Sequence, residues 1–260
     1  MKEQVEIDTI VRFLQDTFRK TGLSRAVIAV SGGIDSSVSL TLLSRALSGQ
    51  MITPVLLPYG QQTIEDARTI CAFNKIPENN VQEVNIQSTV DHICRTVSLS
   101  QTDVIRRGNV MARVRMTVLY DWAKKKKALV VGTENKSEHY LGYFTRFGDA
   151  ASDVEPIIHL YKTQVQQTAI ALGIPEYIIT KHPSAGLWKN QTDEEELGFT
   201  YEQADKVLEQ LIDHDMSFEK ISIAGIPQTI VKRICSRVQS QHFKHEVPYQ
   251  LHKTRRLIWY

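Results

Sequence analysis

Apolar and polar positions along this chain alternate between two rhythms. Over residues 4–20, Val5, Ile10, Phe13, Leu14 and Phe18 recur at helical spacing with Thr17 on the same side. That spacing predicts an amphipathic helix with those six positions turned inward. Residues 26–30, Ala-Val-Ile-Ala-Val, form a β-branched apolar run closed by a glycine turn, the mark of a buried strand. Helical spacing then returns at Val38, Leu42, Leu43, Ala46 and Leu47. The same reading predicts strands at 52–57, 81–86 and 128–132, and helices at 61–74 and 109–126.

Strands that alternate with helices give a parallel sheet, because each crossover must carry the chain back to the same edge. The expected fold class is α/β, a Rossmann-like doubly wound parallel sheet flanked by helices, in a single domain over residues 1–260. Ligands of such sheets sit beyond the carboxyl ends of the strands, near a switch in strand order. Residues 31–36 and 133–138 both follow predicted strands, so they are expected to face one cleft.

The first of these segments is Ser31-Gly32-Gly33-Ile34-Asp35-Ser36, placed between a strand and a helix start. Two glycines let the backbone turn sharply and approach a ligand closely. Unpaired N–H groups at the helix start attract anions, and Ser31, Ser36 and Ser37 add hydroxyl donors. The segment reads as a phosphate cradle. It has neither the lysine of a Walker A loop nor the third glycine of a dinucleotide loop. It carries an acid instead. A carboxylate beside a polyphosphate repels it unless a cation lies between, so Asp35 implies Mg²⁺. Glu138, after the strand at 128–132, offers a second carboxylate across the cleft for the same ion.

Composition narrows the field. Hydrophobic residues make up 42% of the chain and charged ones 23%, as in an ordinary soluble globule. A net charge of +2 gives no argument for a nucleic acid or membrane partner. The cysteines Cys71, Cys94 and Cys235 are dispersed, which suits a reducing cytoplasm and argues against a disulfide framework or zinc site. No leader pattern opens the chain, and no apolar run approaches the roughly 18 residues of a membrane span. Lys124–Lys127 read as a solvated helix end with cations matched to the dipole.

Further motifs follow in order: Arg107-Gly108-Asn109-Val110-Met111-Ala112-Arg113-Val114-Arg115-Met116, then Gly142-Tyr143-Phe144-Thr145-Arg146-Phe147-Gly148-Asp149, then Asp153, Pro156 and Leu160-Tyr161-Lys162-Thr163. Later come Pro183-Ser184-Ala185-Gly186-Leu187-Trp188, Gln191–Gly198 and Phe243-Lys244. In this order and spacing the set resembles the ammonia-dependent NAD⁺ synthetases, and the resemblance covers nearly the whole chain. The loop alone marks only the wider group of adenylating ATP pyrophosphatases.

The resemblance implies ATP-dependent adenylation of the nicotinate carboxylate of deamido-NAD⁺, release of pyrophosphate, and displacement of AMP by ammonia. It implies ATP contacts from Ala29, Val30, Ser31, Gly32, Gly33, Ile34, Asp35, Ser36, Thr133, Lys162 and Ser184. It implies deamido-NAD⁺ contacts from Arg113, Arg146, Asp153, Phe243 and Lys244. Asp35 and Glu138 would hold Mg²⁺, Lys162 would neutralise charge in the adenylation, and Asp153 is a candidate to deprotonate incoming ammonium. Serine stands at 184 where the family usually has threonine, and arginine at 146 where many relatives have lysine. The resemblance also implies a homodimer and a loop over 187–196 that orders on substrate binding. Val110, Val114, Val118 and Trp122 fit a subunit interface or a core equally well.

Two other readings share the loop. One is a different adenylating enzyme, GMP-forming or tRNA-modifying; the other is a nucleotide-binding module without turnover. No paired cysteines or basic appended domain supports a tRNA enzyme. With the phosphate loop at residue 31 and synthetase motifs onward, no segment is left for a glutamine amidase, so free ammonia is the expected nitrogen donor.

Overall fold

The structure is a computed structural model and describes residues 2–188 and 191–249. The basic segment 253–256 and Trp259 lie outside the described residues. The first half of the chain holds α1 (Lys2–Thr21), β1 (Arg25–Ala29), α2 (Ile34–Ala46), β2 (Ile52–Leu56), α3 (Glu65–Phe73), β3 (Gln82–Glu83), α4 (Gln87–Thr96), α5 (Val104–Lys126) and β4 (Ala128–Val131). The second half is helical, with α6 (Lys136–Leu141), α7 (Lys162–Leu172), α8 (Glu176–Ile179), α9 (Asp193–Leu197), α10 (Tyr201–Leu208) and α11 (Gln228–Gln241).

The four strands form one parallel sheet in the order β3-β2-β1-β4. The chain therefore winds outward from β1 to β3 and then returns to pair β4 with the other side of β1. That return makes the switch point, between the carboxyl ends of β1 and β4. Alternate strand residues serve two cores. Ala26, Ile28, Ile52 and Leu56 pack with α1, α2 and α7, while Val27, Val55 and Val130 pack with α4 and α5. A third cluster joins α6, α9, α10 and α11 beside the sheet. The expected α/β class with helices on both faces is what the structure shows. Among the described residues no helix is long and apolar enough to cross a membrane.

Local differences have physical causes. In α1 the buried stripe is Ile7, Ile10, Leu14 and Phe18, whereas Val5 and Phe13 stay exposed. Ile7 is three residues before Ile10 and seven before Leu14, so it completes the inward face and Val5 falls off it. The strand expected at 81–86 shortens to Gln82–Glu83, an edge strand, although Val84 and Ile86 still donate N–H bonds to Leu56 and Pro58. The helix expected at 61–74 begins only at Glu65, because residues 57–64 form a loop along the cleft. On α5, Val114 is buried in the sheet core and Val110, Val118 and Trp122 pack partly against it. That stripe faces the sheet.

Candidate active site

The site is built where β1 gives way to α2. Gly32 takes a positive φ of +80°, and a Cβ there would lie 2.5 Å from the Asp66 Cβ and 2.8 Å from the Ala67 nitrogen. Only glycine lets the loop pass under α3 at that point. Gly33 is the α2 N-cap, has extended backbone, and has no side chain to cap the first turn. The loop is held by its own serines: Ser36 and Ser37 hydroxyls donate to the Gly33 carbonyl at 3.0 and 2.8 Å. Ser31 Oγ accepts the Gly33 N–H at 3.2 Å. The helix start is thus fixed, and its first residues, Ile34, Asp35 and Ser36, line the cleft, where a helix N-terminus favours an anion.

Asp35, in the first turn of α2, meets two partners brought from far along the chain. Asn135 Nδ2 donates to its Oδ1 at 2.8 Å, and Lys162 Nζ donates to its Oδ2 at 2.6 Å. Lys162 Nζ also reaches Glu138 Oε1 at 2.9 Å. The four residues come from α2, the β4–α6 turn, α6 and the start of α7. Their placement is reinforced from behind: Ser137 Oγ accepts the Lys162 N–H at 2.9 Å and donates to Asp205 Oδ1, whose other oxygen accepts the Thr163 N–H at 2.9 Å. Asn135 Oδ1 caps α6 by accepting the Glu138 N–H at 2.9 Å.

Electrostatics follow from one cation shared by two acids. Lys162 is 2% exposed. Burial alone would lower its pKa, and Asp35 and Glu138 together outweigh burial and raise it, so the ammonium keeps its proton. Burial pushes the Glu138 carboxyl up, Asp35 and Asp193 push the same way, and Lys162 only partly offsets them. Glu138 therefore holds its proton more readily than an ordinary carboxyl, while Lys162 keeps its charge beside Asp35. The cluster's donors toward the cleft are carboxylate oxygens, the hard ligands that suit Mg²⁺ when water and phosphate complete the shell. Among the described residues no group of three or more His, Cys, Asp or Glu gathers into an all-protein cage.

The cluster opens into a cavity of about 780 Å³ beyond the ends of β1, β2 and β4. Of the expected ATP contacts, Ala29, Val30, Ser31, Gly33, Ile34, Asp35, Ser36, Thr133, Lys162 and Ser184 all line it. Gly32 is the exception, since it packs against α3. Residues 181–188, with Gln191 and Asp193, also line the cavity. Asp193 accepts the Ala185 N–H at 3.0 Å, Gln191 Oε1 accepts the Leu187 N–H at 2.8 Å, and Gln62 Nε2 donates to the Gly186 carbonyl at 2.6 Å. The flexible loop expected at 187–196 is thus partly structured: Asp193 opens α9, and residues 189–190 lie outside the described residues.

The expected dinucleotide contacts are less gathered. Lys244 lines the cavity and donates to the Gly142 and Phe144 carbonyls at 2.6 and 2.9 Å. Arg146 stacks on the Phe243 ring, 5.2 Å from its centroid, and neither residue is among those lining the cavity. Arg113 is exposed on α5, also outside the lining. Asp153 is also outside the lining and has partners of its own. Its Oδ2 accepts the Val130 N–H at 2.8 Å and its Oδ1 accepts from the Tyr120 hydroxyl at 3.4 Å. It ties the segment beside β4 to the sheet, next to Val130 and Ala151 of the cavity lining. Proximity to Pro156 in sequence gave no sign of that, because the pairing of residues 153–154 with β4 is a tertiary fact.

Several site residues carried no sequence signal. Asn135 is fully buried and orients Asp35. Arg115 lines the cavity and donates to the Leu57 carbonyl at 3.2 Å and Gln62 Oε1 at 3.1 Å; burial lowers its pKa. The Tyr201 ring lies 5.2 Å from Lys162 Nζ. Asn135, three residues before Glu138, was readable as a helix cap but not as the partner that orients Asp35, and the others needed the fold.

Fold and site together define a nucleotide-binding α/β protein with a phosphate loop and a carboxylate pair at the switch point. The chain belongs to the NAD synthase family, whose profile matches residues 6–248. It is 38% identical over 242 residues to an NH(3)-dependent NAD(+) synthetase of Fusobacterium nucleatum subsp. nucleatum, covering 92% of each chain. It is 41% identical to the enzyme of that name from Trichlorobacter lovleyi, covering 92% of this chain and 87% of that one. Among solved structures, an NH3-dependent NAD synthetase from Campylobacter jejuni superposes with a TM-score of 0.79 at 30% identity, covering 96% and 99%. An NMN synthetase from Francisella tularensis gives 0.82, also at 30% identity, covering 97% and 99%.

Proposed function

We propose that this protein amidates deamido-NAD⁺ with ammonia at the expense of ATP, giving NAD⁺, AMP and pyrophosphate. The observation that carries the reading is the Asp35–Lys162–Glu138 cluster at the α2 N-terminus, inside a cavity lined by the predicted ATP contacts. The dinucleotide is preferred to the mononucleotide because relatives at 38–41% identity bear the NAD⁺ synthetase name, while the NMN synthetase is 30% identical.

The chemistry asks for positioning and charge neutralisation. A nicotinate carboxylate oxygen attacks the α-phosphorus of ATP, the bond to the bridging oxygen breaks, and pyrophosphate leaves. Ammonia then adds to the activated carbonyl and AMP departs with the former carboxylate oxygen. No protein nucleophile is needed. Asp35 and Glu138 are the residues that would hold Mg²⁺, which when bound neutralises phosphate charge. The α2 amide hydrogens and the Ser31 and Ser36 hydroxyls grip the phosphates. Lys162, fixed by both acids and by Ser137, presents a full positive charge that needs no reorganisation as charge shifts at the α-phosphorus. Lys244, with Arg146 and Phe243 at its side, marks the dinucleotide end of the cleft.

We place the enzyme in the cytoplasm as a homodimer, in which Arg113 and the Arg146–Phe243 pair would complete the dinucleotide site. The dispersed buried cysteines suit that compartment. Assaying the pure protein with ATP, ammonium, Mg²⁺ and either deamido-NAD⁺ or nicotinate mononucleotide tests the substrate. A higher kcat/KM for the dinucleotide is expected. A higher value for the mononucleotide would reassign the chain to NMN formation.

A further inference from the structure

The phosphate loop has no lysine, and the one buried lysine of the cluster is already committed to two carboxylates. If the metal charge is balanced by Asp35 and Glu138, the terminal phosphates are left with the α2 helix end and a single cation. A triphosphate carries more negative charge than that, and pyrophosphate must leave with all of it. Besides Lys162, the cavity is lined by Arg115, Lys181, Arg237 and Lys244, and of these Lys181 is the one paired with Asp66 beside the loop.

Lys181 Nζ is held by Asp66 Oδ2 at 2.6 Å. Asp66 lies in the first turn of α3, where its Cβ packs against the Gly32 backbone: a Cβ on Gly32 would be 2.5 Å from it. The pair therefore parks an ammonium next to the turn of the phosphate loop. The Lys181 side chain is 51% exposed and that of Asp66 26%. An ion pair so open to water holds its partners weakly, so exchanging Asp66 for a phosphate oxygen costs little. The long, flexible lysine stem can make the swing, and a phosphate of higher charge than a carboxylate competes well for it.

We infer that Lys181 leaves Asp66 when ATP binds and takes the β,γ-phosphate end, stabilising pyrophosphate as leaving group, with Asp66 as its resting partner. This rests on the proposed ATP-cleaving reaction. It also gives the lining segment a reason to begin where it does, because nucleotide charge would draw Lys181, and with it residues 182–187, onto the cavity.

The test compares Lys181→Gln, Lys181→Arg and Asp66→Asn in steady-state NAD⁺ formation, with pyrophosphate as product inhibitor. Lys181→Gln should weaken pyrophosphate inhibition about tenfold or more and raise the KM for ATP, with the KM for deamido-NAD⁺ little changed. Lys181→Arg should restore most of the pyrophosphate affinity. Asp66→Asn keeps the packing atoms and frees the lysine, so pyrophosphate inhibition should stay equal or tighten. A merely structural pair predicts that Lys181→Gln and Asp66→Asn behave alike, and that result, or unchanged pyrophosphate inhibition in Lys181→Gln, overturns the inference. If Lys181→Gln does not fold, a weakened pyrophosphate inhibition in Asp66→Asn overturns it alone. Wild-type protein that makes no NAD⁺ would instead refute the underlying reaction.

Discussion

Lys162 Nζ lies 2.6 Å from Asp35 Oδ2, across 127 residues of sequence. The contact joins the phosphate loop to the start of α7 and fixes which way both face. Asp35 by itself is a helix-start acid; bound to Lys162 and Asn135, it is a carboxylate held in one orientation at the cavity wall.

Asp35→Asn should therefore abolish pyrophosphate release, by at least about 10²-fold in kcat. The side chain stays near the same shape, so circular dichroism and thermal melting should show a folded protein. Wild-type turnover in this variant would remove Asp35 from the chemistry.

Lys162→Met removes a charge made useful only as the α-phosphate reacts. Loss of roughly 10²–10³-fold is expected in kcat and in kcat/KM together. An effect confined to the KM for ATP would make Lys162 a ground-state contact. The variant also leaves two carboxylates facing each other without their cation. Fully buried pairs lose about 3–5 kcal/mol when broken. Asp35 and Glu138 keep 19% and 17% side-chain exposure, so a loss nearer ~2 kcal/mol is expected by denaturant unfolding in EDTA.

Gly32→Ala tests the loop's passage under α3. The new methyl would sit 2.5 Å from the Asp66 Cβ, at a φ of +80° that disfavours any side chain. Strain of about 1–3 kcal/mol is expected from the backbone alone. ATP affinity should fall as the loop shifts. A variant with unchanged melting and unchanged ATP binding would show that the loop is looser than described.

Much of this was legible in the chain, and the limits are instructive. The phosphate loop announced itself because its chemistry is local: strand, two glycines, hydroxyls and an acid within a few residues. Asp153 showed the opposite case. Its carboxylate serves the Val130 N–H, and nothing in the sequence says which backbone amide an aspartate will reach. Val5 and Phe13 were misread because apolar spacing fixes a helix face only to within one residue's turn. Asn135 and Asp205 act by holding other side chains, so no motif logic points to them.

Glu155 is another residue visible only in the fold, and it sets a pH dependence. Its oxygens accept from the Ser152 hydroxyl at 2.7 Å and the Glu134 N–H at 3.2 Å, against the Gly132 backbone. Burial pushes its carboxyl up to about 8, and the nearby Glu134 and Asp149 add to the rise. A folded-state value above the unfolded one means the native protein holds the extra proton. That contribution is complete below the unfolded value near 4.5 and is lost as pH rises through 8. Wild-type stability relative to Glu155→Gln should therefore decline from about pH 5 to 8, by on the order of 2 kcal/mol. Parallel stability curves for the two proteins would contradict the burial.

The central claim is that the nicotinate carboxylate itself attacks the α-phosphate. Deamido-NAD⁺ labelled with ¹⁸O in that carboxylate, incubated with the enzyme, ATP, Mg²⁺ and ammonium, tests it directly by mass spectrometry of the products. The account predicts equal amounts of NAD⁺, AMP and pyrophosphate, with one ¹⁸O carried into the phosphate of AMP. Label in inorganic phosphate alongside ADP, or AMP formed without label, would contradict it.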